Sequence, residues 1–200
     1  MWKSALTCLW LSLSLTSIPI WAEEPDHAIH EELRDLLKTV ETAINNDQFD
    51  DLLPLAAENV RVTPINQEFL NTPAAISSYF RKYFGPGNKL RALNMTLAPD
   101  VLTELSADKT WGLAYGKGTE VYTLNDGRVF AMPTRWTSVV VKENDGKWRI
   151  RSMHIGTDFL DNPLLSAVEG SVKKFTVGAA AIGALVGLVV GVLVGRRRRS

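Results

Sequence analysis

The fold is decided by residues 135–156, which read RWTSVVVKENDGKWRIRSMHIG. Apolar and polar residues alternate on both sides of Asn144-Asp145-Gly146, and Asp-Gly between two alternating runs indicates a tight turn between antiparallel strands. A second turn of the same kind, Asn125-Asp126-Gly127, lies upstream. The sequence therefore predicts three long antiparallel strands near residues 110–124, 128–142 and 147–157.

Helical patterns precede these strands. Apolar residues recur at three- and four-residue spacing over residues 29–44, which predicts an amphipathic helix. Thr72 and Pro73 predict the start of another helix, and Gly85-Pro86-Gly87 predicts its end. A short helix and two further strands are expected at residues 47–56, 59–63 and 90–97. Helices followed by a meander of strands indicate one α+β domain.

Together these segments resemble the nuclear-transport-factor-2-like superfamily, in its SnoaL-like or ketosteroid-isomerase-like branch. The resemblance rests on AAENVRV at residues 56–62, NTPAAISSYFRKYF at residues 71–84 and the hairpin at residues 135–156, and it covers residues 31–158. It implies a cone-shaped domain whose helices and curved antiparallel sheet enclose a pocket, often in a homodimer packed through the sheet. It implies no particular activity, because members include isomerases, dehydratases, epoxide hydrolases, ligand binders and assembly modules without chemistry.

Strand periodicity selects the residues that would line such a pocket. Residues two apart share one face of a strand, so Trp136 and Ser138 are expected on the inward face. Trp111 and Tyr115 are candidates from the preceding strand, whose register the sequence leaves open. The full set of candidate ligand-contacting residues is Tyr79, Tyr83, Trp111, Tyr115, Trp136, Ser138 and His154.

His154 is the candidate for chemistry. It shares its parity with Trp148 and Ile150, and the resemblance implies a pocket histidine six residues after this tryptophan. Imidazole suits a general base or a hydrogen-bond donor to a ligand. The alternative is a buried histidine that supports the sheet. No acidic residue is expected on the same inward faces to assist His154.

Metal and cofactor chemistry have no motif in the sequence. His27 and His30 lie at the start of the first helix without a third histidine nearby, so they are interpreted as a solvated helix end. No phosphate-binding loop, nucleophile elbow or zinc-binding helix motif is present. We therefore expect no metal and no cofactor.

The two ends of the chain indicate a membrane protein. Residues 175–195 carry no charged side chain and are long enough to span a bilayer. Four arginines at residues 196–199 indicate that this end is cytoplasmic. Residues 1–22 are typical of a secretory signal peptide, although an uncleaved anchor is an alternative. The only cysteine, Cys8, lies in this signal, so the mature chain would form no disulfide.

The expected organisation follows from these ends. We expect a bacterial inner-membrane protein with a single C-terminal span and its soluble domain in the periplasm. Its parts would be a signal peptide at 1–22, a nuclear-transport-factor-2-like domain at 23–166, a connector at 167–174, a transmembrane helix at 175–195 and a basic tail at 196–200. Lys3 and the four terminal arginines fall outside residues 23–174, which carry a net charge of about −5. This charge disfavours nucleic acid as a partner.

The expected span carries a row of small residues. These recur every four positions and so lie along one helix face, where they allow another helix to pack closely. The alternative is a chance register. The residues are Ala179, Gly183, Gly187, Gly191 and Gly195.

Three functional hypotheses remain open. The first is a membrane-anchored, periplasm-facing binding or accessory module that dimerises and holds a small apolar or amphipathic ligand. The second is an enzyme of the isomerase or dehydratase type with His154 as general base. The third is a non-catalytic dimeric scaffold in an envelope assembly.

Overall fold

A computed structural model of the chain describes residues 26–88 and 90–197, with side chains as far as residue 188. The predicted signal peptide and the last three residues lie outside the described residues. The elements are α1 (His27–Asn45), a 3₁₀ helix (Phe49–Leu55), β1 (Ala56–Thr63), α2 (Pro73–Tyr83), β2 (Leu90–Pro99), β3 (Glu104–Leu105), β4 (Trp111–Leu124), β5 (Val129–Lys142), β6 (Trp148–Gly156) and α3 (Pro163–Arg197). The predicted α+β class is confirmed.

Six strands form one sheet in the order β1-β6-β5-β4-β2, with β3 paired to β4. Neighbouring strands are antiparallel, except that β1 runs parallel to β6. Gly127 and Gly146 close the two tight turns with φ angles of 84° and 77°, a region that favours glycine. The predicted β4–β5–β6 meander is confirmed. The two-residue strand β3 was not predicted, because it is too short to show an alternating pattern.

Helix α1 packs its apolar face on the sheet and also protects an edge strand. The Asn45 amide donates to the Met95 carbonyl at 2.9 Å and accepts from the Met95 N–H at 2.7 Å. The Glu41 carboxylate accepts from the Leu97 N–H. Because β2 ends the sheet, these side chains occupy backbone groups that an edge strand would leave open.

Helix α2 begins as predicted. The Thr72 hydroxyl accepts from the Ala75 N–H at 3.1 Å, and Pro73 is the first helical residue. The inner side of α2 is aromatic. Phe80 stacks on Phe49 of the 3₁₀ helix with ring centroids 5.1 Å apart, which joins the two helices above the sheet.

A β-bulge in β6 changes which residues face the core. Val140 pairs with Ile150, but the adjacent Val139 pairs with Ser152, so Arg151 is an extra residue. One extra residue reverses the alternation beyond it. Trp148 and Ile150 therefore face inward before the bulge, and Met153 and Ile155 face inward after it. The expectation that His154 points into the pocket is wrong, and His154 is exposed on the outer face.

The register of β4 places two of the candidate pocket residues on the outer face of the sheet. Gly116 pairs with the buried Trp136 of β5, so the even-numbered residues of β4 face inward. Trp111 and Tyr115 consequently face outward, and their expected place in the pocket is wrong. The inward alternation predicted for Trp136 and Ser138 on β5 is confirmed.

Helix α3 runs without interruption from Pro163 to Arg197. Residues 167–174, expected as a connector, are therefore helical. The part of α3 at Pro163–Leu188 has a mean hydropathy of 1.3 and is long and apolar enough to cross a membrane. Open space surrounds Gly183 and Gly187 within this part of the helix.

Candidate functional site

Two cavities lie between the helices and the inner face of the sheet. Cavity 1, of about 110 Å³, lies between α1 and the sheet, and it is bordered by Pro99, Val101, Leu102 and Thr103. Cavity 2, of about 70 Å³, lies deeper, against the 3₁₀ helix and α2. The wall between them consists of residues that line both, namely Val40, Leu97, Ile150 and Met153. Two adjoining apolar spaces, of about 110 and 70 Å³, therefore lie within the described domain.

His30 is the main polar feature of cavity 1. It is 6% exposed and lines the cavity. Its imidazole makes no hydrogen bond with another described residue. The interpretation of His30 as part of a solvated helix end is wrong, because it lies one turn before the buried Leu33 on the same face of α1. The position of His30 three residues before Leu33, within the apolar pattern of residues 29–44, was the signal available in the sequence.

Trp136 and Ser138 also line cavity 1, as expected. The Trp136 indole N–H donates to the Lys117 carbonyl at 2.9 Å, and the Ser138 hydroxyl donates to the Ser152 carbonyl at 2.9 Å. Both donors are thus engaged within the protein. These two residues present ring carbon and an already bonded oxygen to the cavity, while His30 keeps its hydrogen-bonding capacity.

The two tyrosines of α2 have different surroundings. Tyr79 is buried and lines cavity 2, and burial raises the pKa of its hydroxyl. Tyr83 is half-buried and donates to the Glu68 carboxylate. Tyr79 is therefore placed at a cavity as expected, whereas Tyr83 lines neither cavity 1 nor cavity 2.

The remaining candidates lie away from the cavities. Trp111 is 48% exposed on the outer face of the sheet. The Tyr115 hydroxyl donates to Glu104 at 2.9 Å on the same face. His154, also outward, lines neither cavity, so the geometry gives no support to its proposed role as a general base. The helix-packing positions Gly191 and Gly195 lie beyond the side chains that the structure describes.

A buried acid was missed by the sequence analysis. Glu120 is 3% exposed and faces inward from β4, where one carboxylate oxygen accepts from the Tyr122 hydroxyl. The other oxygen has no partner among the described residues, and burial raises the pKa of this carboxyl. Glu120 was not identified from the sequence because the register of β4 was left open. Glu120 lines neither cavity 1 nor cavity 2.

Among residues 26–88 and 90–188, no group of three histidine, cysteine or acidic side chains is arranged to hold a metal ion. The polar groups near cavity 1 instead suit hydrogen bonding to an organic molecule. Cavity 1 therefore suits a small apolar molecule and places one imidazole, that of His30, beside it.

No protein-family model matches the sequence, and no curated protein sequence matches it. Solved structures do match. A proposed scytalone dehydratase from Novosphingobium aromaticivorans is 12% identical, with 66% of this chain and 85% of that chain covered and a TM-score of 0.56. ActVI-ORFA from Streptomyces coelicolor is 14% identical, with 65% and 98% covered and a TM-score of 0.54.

A third match is a nuclear transport factor 2 (NTF2-like) superfamily protein from Salmonella enterica serovar Typhimurium. It is 14% identical, with 65% of this chain and 91% of that chain covered and a TM-score of 0.54. At such low identity these likenesses show the fold alone. The chain has the nuclear-transport-factor-2-like fold, with helices packed on a curved antiparallel sheet and one long apolar helix at its C-terminus.

Proposed function

We propose that this protein is a membrane-tethered module that binds a small apolar or amphipathic ligand in cavity 1. The observation that carries the proposal is His30, a residue only 6% exposed whose imidazole lines an otherwise largely apolar cavity and makes no hydrogen bond with another described residue. Buried polar groups are normally hydrogen-bonded, so an imidazole that lines a cavity and bonds to no other described residue supports a place for a ligand or an ordered water.

The size of the space limits the ligand. An apolar cavity of about 150 Å³ holds a benzene-sized molecule. Cavity 1 alone is somewhat smaller at about 110 Å³, and cavity 2 adjoins it. The ligand is therefore a small molecule that fits cavity 1, or a short chain that extends from cavity 1 past Met153 into cavity 2.

The proposed attachment to the membrane is based on α3 and the arginine tail. A helix of 35 residues is about 52 Å long, which exceeds the hydrocarbon core of a bilayer by roughly 20 Å. We propose that residues 175–195 cross a bacterial inner membrane and that the preceding turns of α3 form a stalk in the periplasm. The four terminal arginines favour the cytoplasm more strongly than Lys173 and Lys174 oppose it.

Self-association is the second part of the proposal. Trp111 and Val129 are exposed on the outer face of the sheet, and the fold resemblance implies a homodimer through this face. The small-residue row from Ala179 to Gly195 would support close packing between the spans. Both contacts bring two copies together with parallel tethers.

Native mass spectrometry of the full-length chain, extracted from membranes in detergent, tests the binding proposal. Wild-type protein is expected to carry a discrete extra mass. Ala114 lines cavity 1 from β4, so Ala114→Leu is expected to fill the cavity and remove that mass. Ala131 is exposed on the opposite face of β5, so Ala131→Leu is the matched control and should retain the mass. A wild-type spectrum without added mass, or equal retention by Ala114→Leu, would contradict the proposal.

The enzyme hypothesis keeps one supporting observation, the buried Glu120 with its hydrogen bond from Tyr122. Acid–base catalysis requires such a group within hydrogen-bond reach of the substrate. Because Glu120 lines neither cavity, binding is the function that the geometry supports best.

A further inference from the structure

The rim of cavity 1 carries two polar side chains on one face of α1. His30 and Arg34 are four residues apart, so they lie one above the other along the helix. Both line cavity 1. His30 is buried, whereas the side chain of Arg34 is 45% exposed and forms an ion pair with Glu31. A ligand that enters here meets a guanidinium and an imidazole before it meets the apolar interior.

Two other acids near this rim, among the described residues, bond to groups elsewhere. Asp100, beside the residues that border the cavity, accepts two hydrogen bonds from the Arg135 guanidinium at 2.6 and 3.2 Å. Glu104 accepts from the Tyr115 hydroxyl on the outer face. Glu31 is one group that pairs with Arg34, and it does so from the solvent side, where side-chain ion pairs are weak.

We infer that cavity 1 takes a small carboxylic acid, with its hydrocarbon part inside and its carboxylate between His30 and Arg34. This inference rests on the proposed binding function and adds the chemical class of the ligand. A guanidinium presents planar donors that match a carboxylate, and an imidazole N–H supplies a further donor. The acyl chain extends toward cavity 2 along Leu97 and Met153, which line both spaces.

Hexanoate and hexanamide separate charge recognition from apolar binding, because they differ in charge but hardly in size. Each is titrated by isothermal calorimetry into the full-length chain in lipid nanodiscs, with empty nanodiscs as the blank. Hexanoate is expected to bind about tenfold more tightly than hexanamide, since hydrogen bonds to a charged group are the stronger kind.

Four substitutions on α1 test where the ligand's charge is recognised. Arg34→Gln is expected to weaken hexanoate binding about tenfold and to leave hexanamide binding unchanged. Glu31→Gln removes a competitor for Arg34 and is expected to strengthen hexanoate binding. Lys38→Gln removes an exposed cation one turn further along α1, outside cavity 1, and should alter neither ligand. His30→Gln should weaken hexanoate in the same direction as Arg34→Gln.

The outcomes distinguish this inference from the proposed function. Equal affinity for the two compounds, unchanged by Arg34→Gln and Glu31→Gln, would overturn the carboxylate inference and leave ligand binding in place. Failure of both compounds to bind the wild-type protein would overturn binding at cavity 1 itself.

Discussion

Glu120 is a carboxylic acid held in the apolar interior of the domain. It faces inward from β4 with Met95 opposite on one side and Met132 opposite on the other. Burial raises its pKa, so the folded protein favours the neutral acid. Glu120 in the unfolded chain has a pKa of about 4.3. Below that pH Glu120 is protonated in both the folded and the unfolded state, so its ionisation does not reduce the free energy of unfolding. As pH rises toward the higher pKa of Glu120 in the folded protein, Glu120 ionises first in the unfolded state. The free energy of unfolding therefore falls.

Glu120→Gln is expected to remove this pH dependence, because the amide does not titrate. We expect the free energy of unfolding of wild type, relative to Glu120→Gln, to fall by about 1.4 kcal/mol per pH unit between the two pKa values. Chemical denaturation at pH 4 to 9 measures the difference. Glu58→Gln, at an exposed site on β1, should retain the wild-type profile. A constant difference between wild type and Glu120→Gln would show that Glu120 ionises in the fold as it does in the unfolded chain.

For single residues, the sequence predicts which side chains face inward only where the alternation of a strand is unbroken. Strict alternation in β5 places Trp136 and Ser138 inward, and the structure agrees. In β6 the alternation holds only as far as the bulge at Arg151, so His154 could not be placed by counting. The apolar Met153 and Ile155, of opposite parity to Trp148, were the available sign of a bulge.

Close packing of β4 on its neighbours depends on glycines that face inward. A Cβ atom added at Gly116 would lie 2.7 Å from Cζ2 of Trp136 and would also press on the Ala98 carbonyl. Trp136 lies directly across from Gly116 in the sheet, so its ring occupies the space that a side chain would need. The β4–β5 pair thus places Trp136 at cavity 1 because Gly116 has no side chain.

Gly116→Ala is expected to lower the free energy of unfolding by about 1–3 kcal/mol, as overpacked sites do. Gly156→Ala is the matched control, because a Cβ atom at Gly156 of β6 would meet no atom within 4 Å. Chemical denaturation of both variants measures the effect. Equal stability of the two would show that Trp136 has room to move and that the inner face is less tightly packed than described.

Element boundaries with local causes were predictable. The start of α2 depends on the Thr72 hydroxyl and Pro73, and the hairpin turns depend on Gly127 and Gly146. The placement of Glu120 was not predictable, because it depends on the register between β4 and β5 rather than on a local signal. The same holds for cavity 1, whose walls come from residues distant in the sequence.

At the scale of the molecule, the described residues combine a cavity-containing domain with one long apolar helix. We expect the domain to face the periplasm and the arginine tail to face the cytoplasm. In a Cys8→Ser background, Ser78→Cys on the exposed side of α2 should react with a membrane-impermeant maleimide in intact cells. Ser200→Cys should react only after lysis. Labelling of Ser200→Cys in intact cells, with Ser78→Cys protected, would reverse the proposed orientation.

The most direct test of ligand binding in cavity 1 is the indole N–H resonance of Trp136 in ¹H–¹⁵N spectra of the full-length protein in detergent micelles. Trp136 lines the cavity, and Trp111 on the outer face is an internal control. On titration with hexanoate or hexanamide, we predict a saturable shift of the Trp136 resonance while that of Trp111 stays in place. A Trp136 resonance that does not move with either compound, or that moves only together with Trp111, would contradict the assignment of cavity 1 as a ligand site.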